Sequence, residues 1–340
     1  VVKMPDAKKI TIATIVHIPE LIGFWKDSLK VLELSFESLF KHTNQEFDFM
    51  VFDNGSCNKV NDYLTEEYKK DNIQYLYFSK TNQRKTFAMP FLLREAPGDI
   101  ICFFDSDVFF LPNWLDESLK VLEKFPKTGM LTACPIAKNN RSPMYSSTYN
   151  DVFKDSHIEK KIGDDLIESY YVDSHALSVG MDPNIYKRNR LKEREDFLIS
   201  HEGVSAYISA VDFQFITTKN VIESIMSEWE ELSYKLRNSE NKHTRGSQIH
   251  PPTFQILTND KGFWKLSTKK YLVHHMVNKI PNISIELPWY NKSNLKIITT
   301  SSANSQINKR KKGFILNSTR LRRLVKALHL WIYKFLYERK

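Results

Sequence analysis

The chain of 340 residues is long enough for one large α/β domain with appended elements, and its 41% hydrophobic content is ample for a core. Three cysteines, an odd number, favour free thiols in a reduced, cytoplasmic compartment over a disulfide framework. No run approaches the roughly 20 apolar residues of a membrane-spanning helix, and the first residues lack the charged-then-apolar form of a signal peptide. A soluble enzyme is therefore expected.

The net charge of +9 is concentrated at one end of the chain. Residues 309–340 contain eleven Lys or Arg and one acid, a net charge of +10, so residues 1–308 sum to about −1. A polar stretch at 299–306 precedes this basic segment and has the composition of a linker. We therefore predict a body of residues 1–298 and a separate tail of residues 299–340.

Apolar periodicity in the first half switches repeatedly between the strand and helix patterns. In chain order it predicts strand 9–16, helix 24–42, strand 47–52, helix 60–70, strand 73–78, helix 84–95, strand 100–105, a helix opened by Pro112 and strand 130–134. Such alternation is typical of a doubly wound α/β fold, a mostly parallel sheet flanked by helices with right-handed crossovers.

One of these strands ends in two carboxylates. Ile100–Phe104 is apolar on both faces, as a buried central strand would be, and it is followed by Asp105 and Asp107. Open α/β sheets place ligands at the carboxyl ends of their strands. Because two carboxylates at this spacing can share a divalent cation, the stretch predicts a site for a metal and a diphosphate.

Several short motifs follow the predicted strands in a fixed order: Asp53-Asn-Gly-Ser56, then Asn82 and Lys85, then Ala96-Pro-Gly98-Asp99, then Asp105-Ser-Asp107. Together they resemble the nucleotide-sugar-binding half of family 2 glycosyltransferases, which have the GT-A fold. The resemblance covers about residues 9–135 and implies a Rossmann-like sheet, with residues 136–298 forming the acceptor side. One departure is that the glycine usual between Asn82 and Lys85 is replaced by Gln83-Arg84.

The resemblance assigns roles to individual side chains. It implies that Asp53 receives the nucleobase or ribose, with Asn82 in the same donor-binding set, and that Lys85 lies near the diphosphate. It further implies that Asp107 is the direct ligand of Mn²⁺ or Mg²⁺, and that Asp105 holds the ribose or the water on the metal. The alternatives are an Asx turn at Asp53 and a solvated helix lysine at Lys85.

A second element is found late in the chain. Tyr271-Leu-Val-His-His275 is an apolar strand that ends in histidine. Val273-x-His275 resembles the Val-x-His element that completes metal or diphosphate binding in many GT-A enzymes. The alternative is a pair of partly buried histidines, His274 and His275, that alternate across the strand.

The inverting transfer implied by the resemblance requires a general base. Family members commonly carry an acidic pair ahead of a Gly-aromatic strand start, and the sequence at Gly262 resembles such a start. His250-Pro-Pro stands where the acids would be expected, so one candidate is His250, because a histidine ordinarily titrates near neutrality. A second candidate is Asp212. Further candidates are Asp173 and Glu202.

The tail has the periodicity of a helix. Apolar residues recur at three- and four-residue steps over 321–336, and basic residues occupy much of the remainder. A basic amphipathic helix containing Trp and Tyr is typical of a segment in a membrane interface, so we predict reversible attachment to an anionic membrane surface. The alternative is a helix packed on the core of the protein itself.

The sequence is compatible with three functions. The predicted one is a metal-dependent glycosyltransferase that moves a sugar from a UDP- or GDP-sugar to a glycan or lipid-linked glycan at the cytoplasmic membrane face. A nucleotidyltransferase would ordinarily show a Gly-rich, basic triphosphate loop, and none follows Val16. A binding module that uses the basic tail is the third, but the nearly neutral body offers no basic face, so no nucleic-acid partner is expected.

Overall fold

The computed structural model describes residues 9–137, 145–192, 194–238 and 254–290. Its first half contains the predicted alternation of strands and helices, and adds a short strand after the acidic motif and a 3₁₀ turn at Gly23–Trp25. The elements are β1 (Ile10–Val16), α1 (Ser28–His42), β2 (Asp48–Asn54), α2 (Asn58–Lys69), β3 (Tyr75–Ser79), α3 (Lys85–Glu95), β4 (Ile100–Asp105), β5 (Val108–Phe110), α4 (Trp114–Lys124) and β6 (Thr128–Thr132).

The second half continues with shorter elements. They are α5 (Ser146–Val152), β7 (Glu159–Gly163), α6 (Ser169–Ser178), α7 (Pro183–Arg190), β8 (Asp196–His201), β9 (Val204–Tyr207), β10 (Gln214–Thr218), α8 (Lys219–Asn238), α9 (Phe254–Asp260), β11 (Trp264–Thr268), β12 (Val273–His275) and α10 (Ile283–Glu286). The strands predicted after Gly262 and at Tyr271 correspond to β11 and β12.

Ten strands form one sheet in the order β3-β2-β1-β4-β10-β6-β11-β9-β8-β7. The first four are mutually parallel, and β10 runs antiparallel to both of its neighbours. In the whole sheet, three strands, β10, β9 and β7, run in the opposite direction to the other seven. The predicted α/β fold with a mostly parallel sheet flanked by helices is confirmed. The start of β10 also lies beside the carboxyl end of β4, which becomes important for the site.

The core explains why β4 is apolar on both faces. Phe103 lies in a buried cluster with residues of α3 and α8, whereas Phe104 stacks on Phe49, which contacts Phe36 of α1. Each of these rings is at most 1% exposed. Burying one phenylalanine side chain stabilises the folded state by roughly 1.5–3 kcal/mol. The rings on the two faces of β4 therefore hold the strand between two helical layers.

The Ala96-Pro-Gly98-Asp99 motif packs the entry to β4 against β1. The Gly98 amide donates to Thr11 Oγ1 at 2.8 Å, and the Asp99 amide donates to the Lys9 carbonyl at 2.8 Å. A Cβ at Gly98 would lie 2.7 Å from the Thr11 nitrogen. This position therefore needs glycine for a close backbone approach rather than for a left-handed conformation.

Other sequence predictions meet the structure only in part. Among the described residues, Cys57, Cys102 and Cys134 form no disulfide, and Cys102 and Cys134 are buried. Within the described ranges, no helix has the length and apolar content to cross a bilayer. The boundary predicted at residue 298 and the amphipathic helix predicted in the tail lie outside the described residues.

Candidate active site

Three parallel strands bring polar side chains to one edge of the sheet. β1 lies between β2 and β4, with Val16 opposite Asp53 and Ile15 opposite Asp105. His17 follows β1 directly. The carboxyl ends of β1, β2 and β4 therefore place His17, Asp53 and Asp105 along the same edge, as predicted for the two aspartates.

Lys85 and Asp105 form an ion pair at this edge. Lys85 is the first residue of α3, and its Nζ lies 2.5 Å from Oδ1 of Asp105 and 5.1 Å from the centroid of the Phe103 ring. Burial raises the pKa of Asp105, Lys85 opposes the rise, and Asp107 adds to it, so the pKa stays above its ordinary value. The pair combines a cation with a helix N-terminus, both of which attract anionic ligands.

Asp107 and His275 form the neighbouring pair. Nε2 of His275 lies 3.1 Å from Oδ1 of Asp107, and the imidazole stacks on the Phe213 ring at 4.9 Å. Burial alone would raise the pKa of Asp107, but the hydrogen bond and charge of His275 outweigh it and lower the pKa. Conversely, burial would lower the pKa of His275, but Asp107 outweighs it and raises the pKa.

The three predicted metal ligands therefore take part in two neighbouring ion pairs, Lys85–Asp105 and Asp107–His275. In the described part of the chain, no group of three His, Cys, Asp or Glu side chains is arranged as a metal centre. The donor types nevertheless fit a divalent cation, because carboxylate oxygens suit Mg²⁺ and Mn²⁺ and an imidazole nitrogen can complete such a set. The assignment of Asp105, Asp107 and His275 as metal ligands remains a prediction.

Asp53 is 1% exposed, and its two oxygens differ. Oδ2 accepts a hydrogen bond from the Ser56 amide at 3.2 Å, a local turn contact of the kind that the alternative for Asp53 describes. Oδ1 makes no hydrogen bond to any described residue. Burial raises the pKa of Asp53, although hydrogen bonds from Ser56 oppose the rise. A buried acceptor without a partner is costly, so Oδ1 is suited to a donor group of a ligand.

Asn82 holds the loop ahead of α3. Its Oδ1 accepts from the Arg84 amide at 2.7 Å and from Asn54 Nδ2 at 3.1 Å, and its Nδ2 lies 2.9 Å from His17 Nε2. His17 Nδ1 lies 2.9 Å from the Asn54 carbonyl. Burial lowers the pKa of His17, which favours the neutral ring that these contacts require. Asn82 therefore positions the loop, and any contact with the donor remains a prediction.

The structure brings Asp212 to the same edge. Asp212 is exposed and precedes β10, and the carbonyl of the next residue, Phe213, accepts from the Asp105 amide at 2.7 Å. Oδ1 of Asp212 accepts from Gln255 Nε2 at 3.3 Å. An exposed carboxylate beside the acidic motif is placed where a general base could receive a proton.

The other base candidates are situated differently. His250 lies outside the described residues. Asp173 on α6 pairs with Lys187 of α7 at 2.6 Å, and Glu202, in the turn between β8 and β9, pairs with Lys124 of α4 at 2.9 Å. Both carboxylates therefore have structural partners of their own.

The two consecutive histidines on β12 point in different directions. His274 is fully buried, with Nδ1 3.2 Å from the Tyr271 hydroxyl and Nε2 3.1 Å from Glu286 Oε2. Burial lowers its pKa despite the neighbouring carboxylate. His274 thus supports the fold, while His275 faces Asp107, so the two histidines lie on opposite faces of β12.

Carboxylates, a lysine and a helix N-terminus at one carboxyl edge of an α/β sheet are suited to an enzyme that binds an anionic ligand such as a diphosphate. Residues 26–177 match the family model described as "Glycosyl transferase family 2", so this part of the chain is similar to that family. A relative from Rickettsia bellii, named "Uncharacterized glycosyltransferase", is 31% identical over 90 residues. That match covers 26% of this chain and 13% of the relative, so the chain spans about an eighth of its length.

Solved structures show a weaker likeness. Staphylococcus aureus TarS 1–349 in complex with UDP-GlcNAc is 19% identical with a TM-score of 0.31, over 38% of this chain and 34% of that one. The Pyrobaculum calidifontis mannosyltransferase PcManGT, in complex with GDP-Man and Mn²⁺, is 15% identical with a TM-score of 0.32, over 42% and 41%. With TM-scores this low, the fold assignment depends on the strand order and pairing described above.

Proposed function

We propose that the protein is a metal-dependent, inverting glycosyltransferase that moves a sugar from a nucleoside diphosphate sugar, a UDP- or GDP-sugar, to a hydroxyl of a glycan or lipid-linked glycan. The observation that carries the proposal is the convergence of Asp53, the Lys85–Asp105 pair and the Asp107–His275 pair at one sheet edge. The match of residues 26–177 to the family 2 model supports the reaction class.

The donor would be held by complementary charge and hydrogen bonding. Oδ1 of Asp53, buried without a partner among the described residues, can accept from a ribose hydroxyl or a base N–H. Lys85 and the first amides of α3 favour the negative charge of a diphosphate. The nucleoside would thus lie over the end of β2, with the diphosphate between α3 and the end of β4.

The metal would be held by Asp107 and His275, with Asp105 beside them. A divalent cation in such a set neutralises negative charge on a departing diphosphate. The protein prepares these ligands in two ways. The Phe213 ring fixes the plane of the His275 imidazole by stacking, and the Met276 amide donates to the Asp107 carbonyl at 2.7 Å.

Asp212 would serve as the general base. Its carboxylate takes the proton of the acceptor hydroxyl as the hydroxyl oxygen bonds to the anomeric carbon, and the bond from that carbon to the diphosphate breaks with its electron pair. The products are the glycosylated acceptor and the nucleoside diphosphate. Gln255, through its bond to Oδ1, would orient the carboxylate.

We also propose that the enzyme acts at the cytoplasmic face of a membrane, attached by the tail and without a nucleic-acid partner. The support is the charge distribution, +10 in residues 309–340 against about −1 in residues 1–308, together with the apolar periodicity of the tail. Deleting residues 309–340 should release the protein from anionic vesicles while nucleotide binding persists. Unchanged sedimentation with vesicles would contradict this attachment.

Calorimetric titration tests the donor site directly. Wild type and Asp107→Asn would be titrated with the diphosphates and nucleotide sugars of uridine, guanosine, cytidine and thymidine, with and without Mn²⁺. We expect one series to bind in a Mn²⁺-dependent manner, and the substitution to weaken that binding by roughly 10-fold or more. The exposed Asp62→Asn is the matched control and should bind as wild type. Failure of every series to bind would overturn the proposal.

A further inference from the structure

An apolar protrusion stands between β1 and α1. It comprises residues 22–26, Ile-Gly-Phe-Trp-Lys, and is called the 22–26 protrusion. Ile22 is 62% exposed and Phe24 is 55% exposed. Gly23 has a φ of +54°, and a Cβ built there would have no atom within 4 Å. The turn therefore exposes two large apolar side chains close together in the sequence. Exposed apolar groups mark a contact surface where they form a contiguous patch.

Trp25 attaches the 22–26 protrusion to the rest of the fold. The partly buried Trp25 contacts Phe24 edge-on at 5.0 Å and His17 at 5.9 Å between ring centroids. His17 is in turn bonded to the loop ahead of α3 through Asn82. The turn that carries Ile22 and Phe24 is therefore connected to the candidate active site through Trp25 and His17.

Further apolar groups are exposed on neighbouring elements of the same sheet edge. Phe78 is 51% exposed and lies opposite Asp53 in the register of β2 and β3, at the carboxyl end of β3. Phe87 is 40% exposed and lies in the first turn of α3, two residues after Lys85. The carboxyl edge therefore carries both the charged site and a set of exposed apolar side chains.

We propose that the 22–26 protrusion inserts into the interface of a lipid bilayer and turns the active-site edge toward the membrane. Its composition, Trp and Phe with an aliphatic side chain and a flanking exposed lysine, is that of interfacial anchors. Ile22 in particular offers no stacking surface for a sugar, which argues against a glycan platform. The basic, apolar-striped segment 309–340 of the same chain is complementary in charge to an anionic bilayer.

This inference goes beyond the proposed function, because the tail alone would tether the enzyme without orienting it. An inserted protrusion would fix the direction of the site. The acceptor would then be presented at the bilayer surface, as a lipid-linked glycan would be. The partner that the 22–26 protrusion contacts is accordingly a lipid surface, and neither a soluble glycan nor a second protein.

Vesicle sedimentation of the full chain tests the insertion. Ile22→Ser/Phe24→Ser should weaken binding to vesicles of phosphatidylcholine and phosphatidylglycerol by roughly 10-fold or more, because two partly exposed apolar side chains lose their burial in lipid. Ile162→Ser/Phe153→Ser is the matched control, since these side chains are 45% and 50% exposed on and near β7. The control should bind as wild type. Equal binding of the first variant and wild type would overturn the proposal.

A fluorescent probe provides an independent readout. Phe24→Cys in a Cys57→Ser background leaves two native thiols, both buried, so an environment-sensitive dye should label position 24 selectively. Vesicles should shift the dye emission to the blue, and brominated lipids should quench it. The same label at Phe153→Cys should not respond. An unshifted probe at position 24 would count against insertion.

Two further outcomes separate this inference from others. If Ile22→Ser/Phe24→Ser keeps its vesicle affinity but loses transfer to a soluble glycan, the protrusion is a sugar platform and the membrane proposal falls. Calorimetric donor binding, measured on the same variant, should equal that of wild type. A failed donor site would therefore appear in calorimetry, and a failed membrane contact in sedimentation.

Discussion

Nε2 of His275 lies 3.1 Å from Oδ1 of Asp107 because β12 pairs antiparallel with β5 and sets His275 opposite Val108. β5 begins one residue after Asp107, so this short two-stranded sheet fixes both partners. A strand near the end of the described residues thereby completes an acidic motif that lies in the first half of the chain.

The imidazole of His275 should matter for metal-dependent donor binding more than for the fold. His275→Phe keeps a ring to stack on Phe213 but removes the nitrogen that faces Asp107. We expect Mn²⁺-dependent affinity for the nucleotide to fall about 10- to 100-fold, with a smaller loss of melting temperature because the ion pair with Asp107 is lost while the ring stack is kept. Calorimetry and thermal unfolding measure the two quantities. The exposed His157→Phe serves as control, and unaltered Mn²⁺-dependent affinity in His275→Phe would remove His275 from the metal set.

Asp212→Asn should separate the chemical step from donor binding. If the carboxylate is the base, kcat should fall roughly 10²- to 10⁴-fold while the dissociation constant of the donor remains unchanged. Asp260→Asn, an exposed carboxylate at the end of α9, is the matched control. Retention of full turnover by Asp212→Asn would exclude Asp212 as base and leave His250 to be tested.

The apolar pattern was sufficient to predict the parallel half of the sheet. β1, β2 and β4 are buried over most of their length, so the sequence must be apolar there on both faces. The same pattern contains no strand direction, and the antiparallel insertion of β10 between β4 and β6 was not predicted for that reason. β5 has three residues, too few for any periodicity to be detected.

The candidate site, too, could be predicted only in part. Asp53 and Asp105 could be predicted because each ends a recognisable strand, and Asp107 follows two residues later. The roles of His17 and Asn54 were missed, because they depend on hydrogen bonds between loops that leave no periodic trace.

Arg84 occupies a backbone conformation that suits glycine. Its φ is +65° and its ψ is 155°, and it directly precedes α3. Gln83-Arg84 stands where the family that the sequence resembles usually has a glycine. Such a conformation costs a side-chain-bearing residue about 1–3 kcal/mol. Arg84→Gly should therefore raise the free energy of unfolding by about 1 kcal/mol once the greater chain entropy of glycine is subtracted, as measured by urea unfolding.

Arg84→Ala is the informative control for that substitution. It removes the guanidinium but keeps the Cβ, so it should give no comparable gain, and both variants retain the amide that donates to Asn82 Oδ1. Equal effects of alanine and glycine would show that the side chain, and not the backbone conformation, determines stability at this position.

His42, the last residue of α1, should make stability depend on pH. It is 8% exposed, and burial, assisted by the charge of Lys41, lowers its pKa to about 4 from an ordinary value of 6.5. Between these values the unfolded chain binds a proton at His42 and the folded chain does not, so stability falls as the pH falls through this window. Between pH 7.5 and pH 5, proton uptake at His42 in the unfolded chain should lower the free energy of unfolding by about 2 kcal/mol. Urea unfolding of His42→Gln should show a correspondingly shallower loss, and parallel pH profiles for variant and wild type would show that His42 titrates near its ordinary pKa.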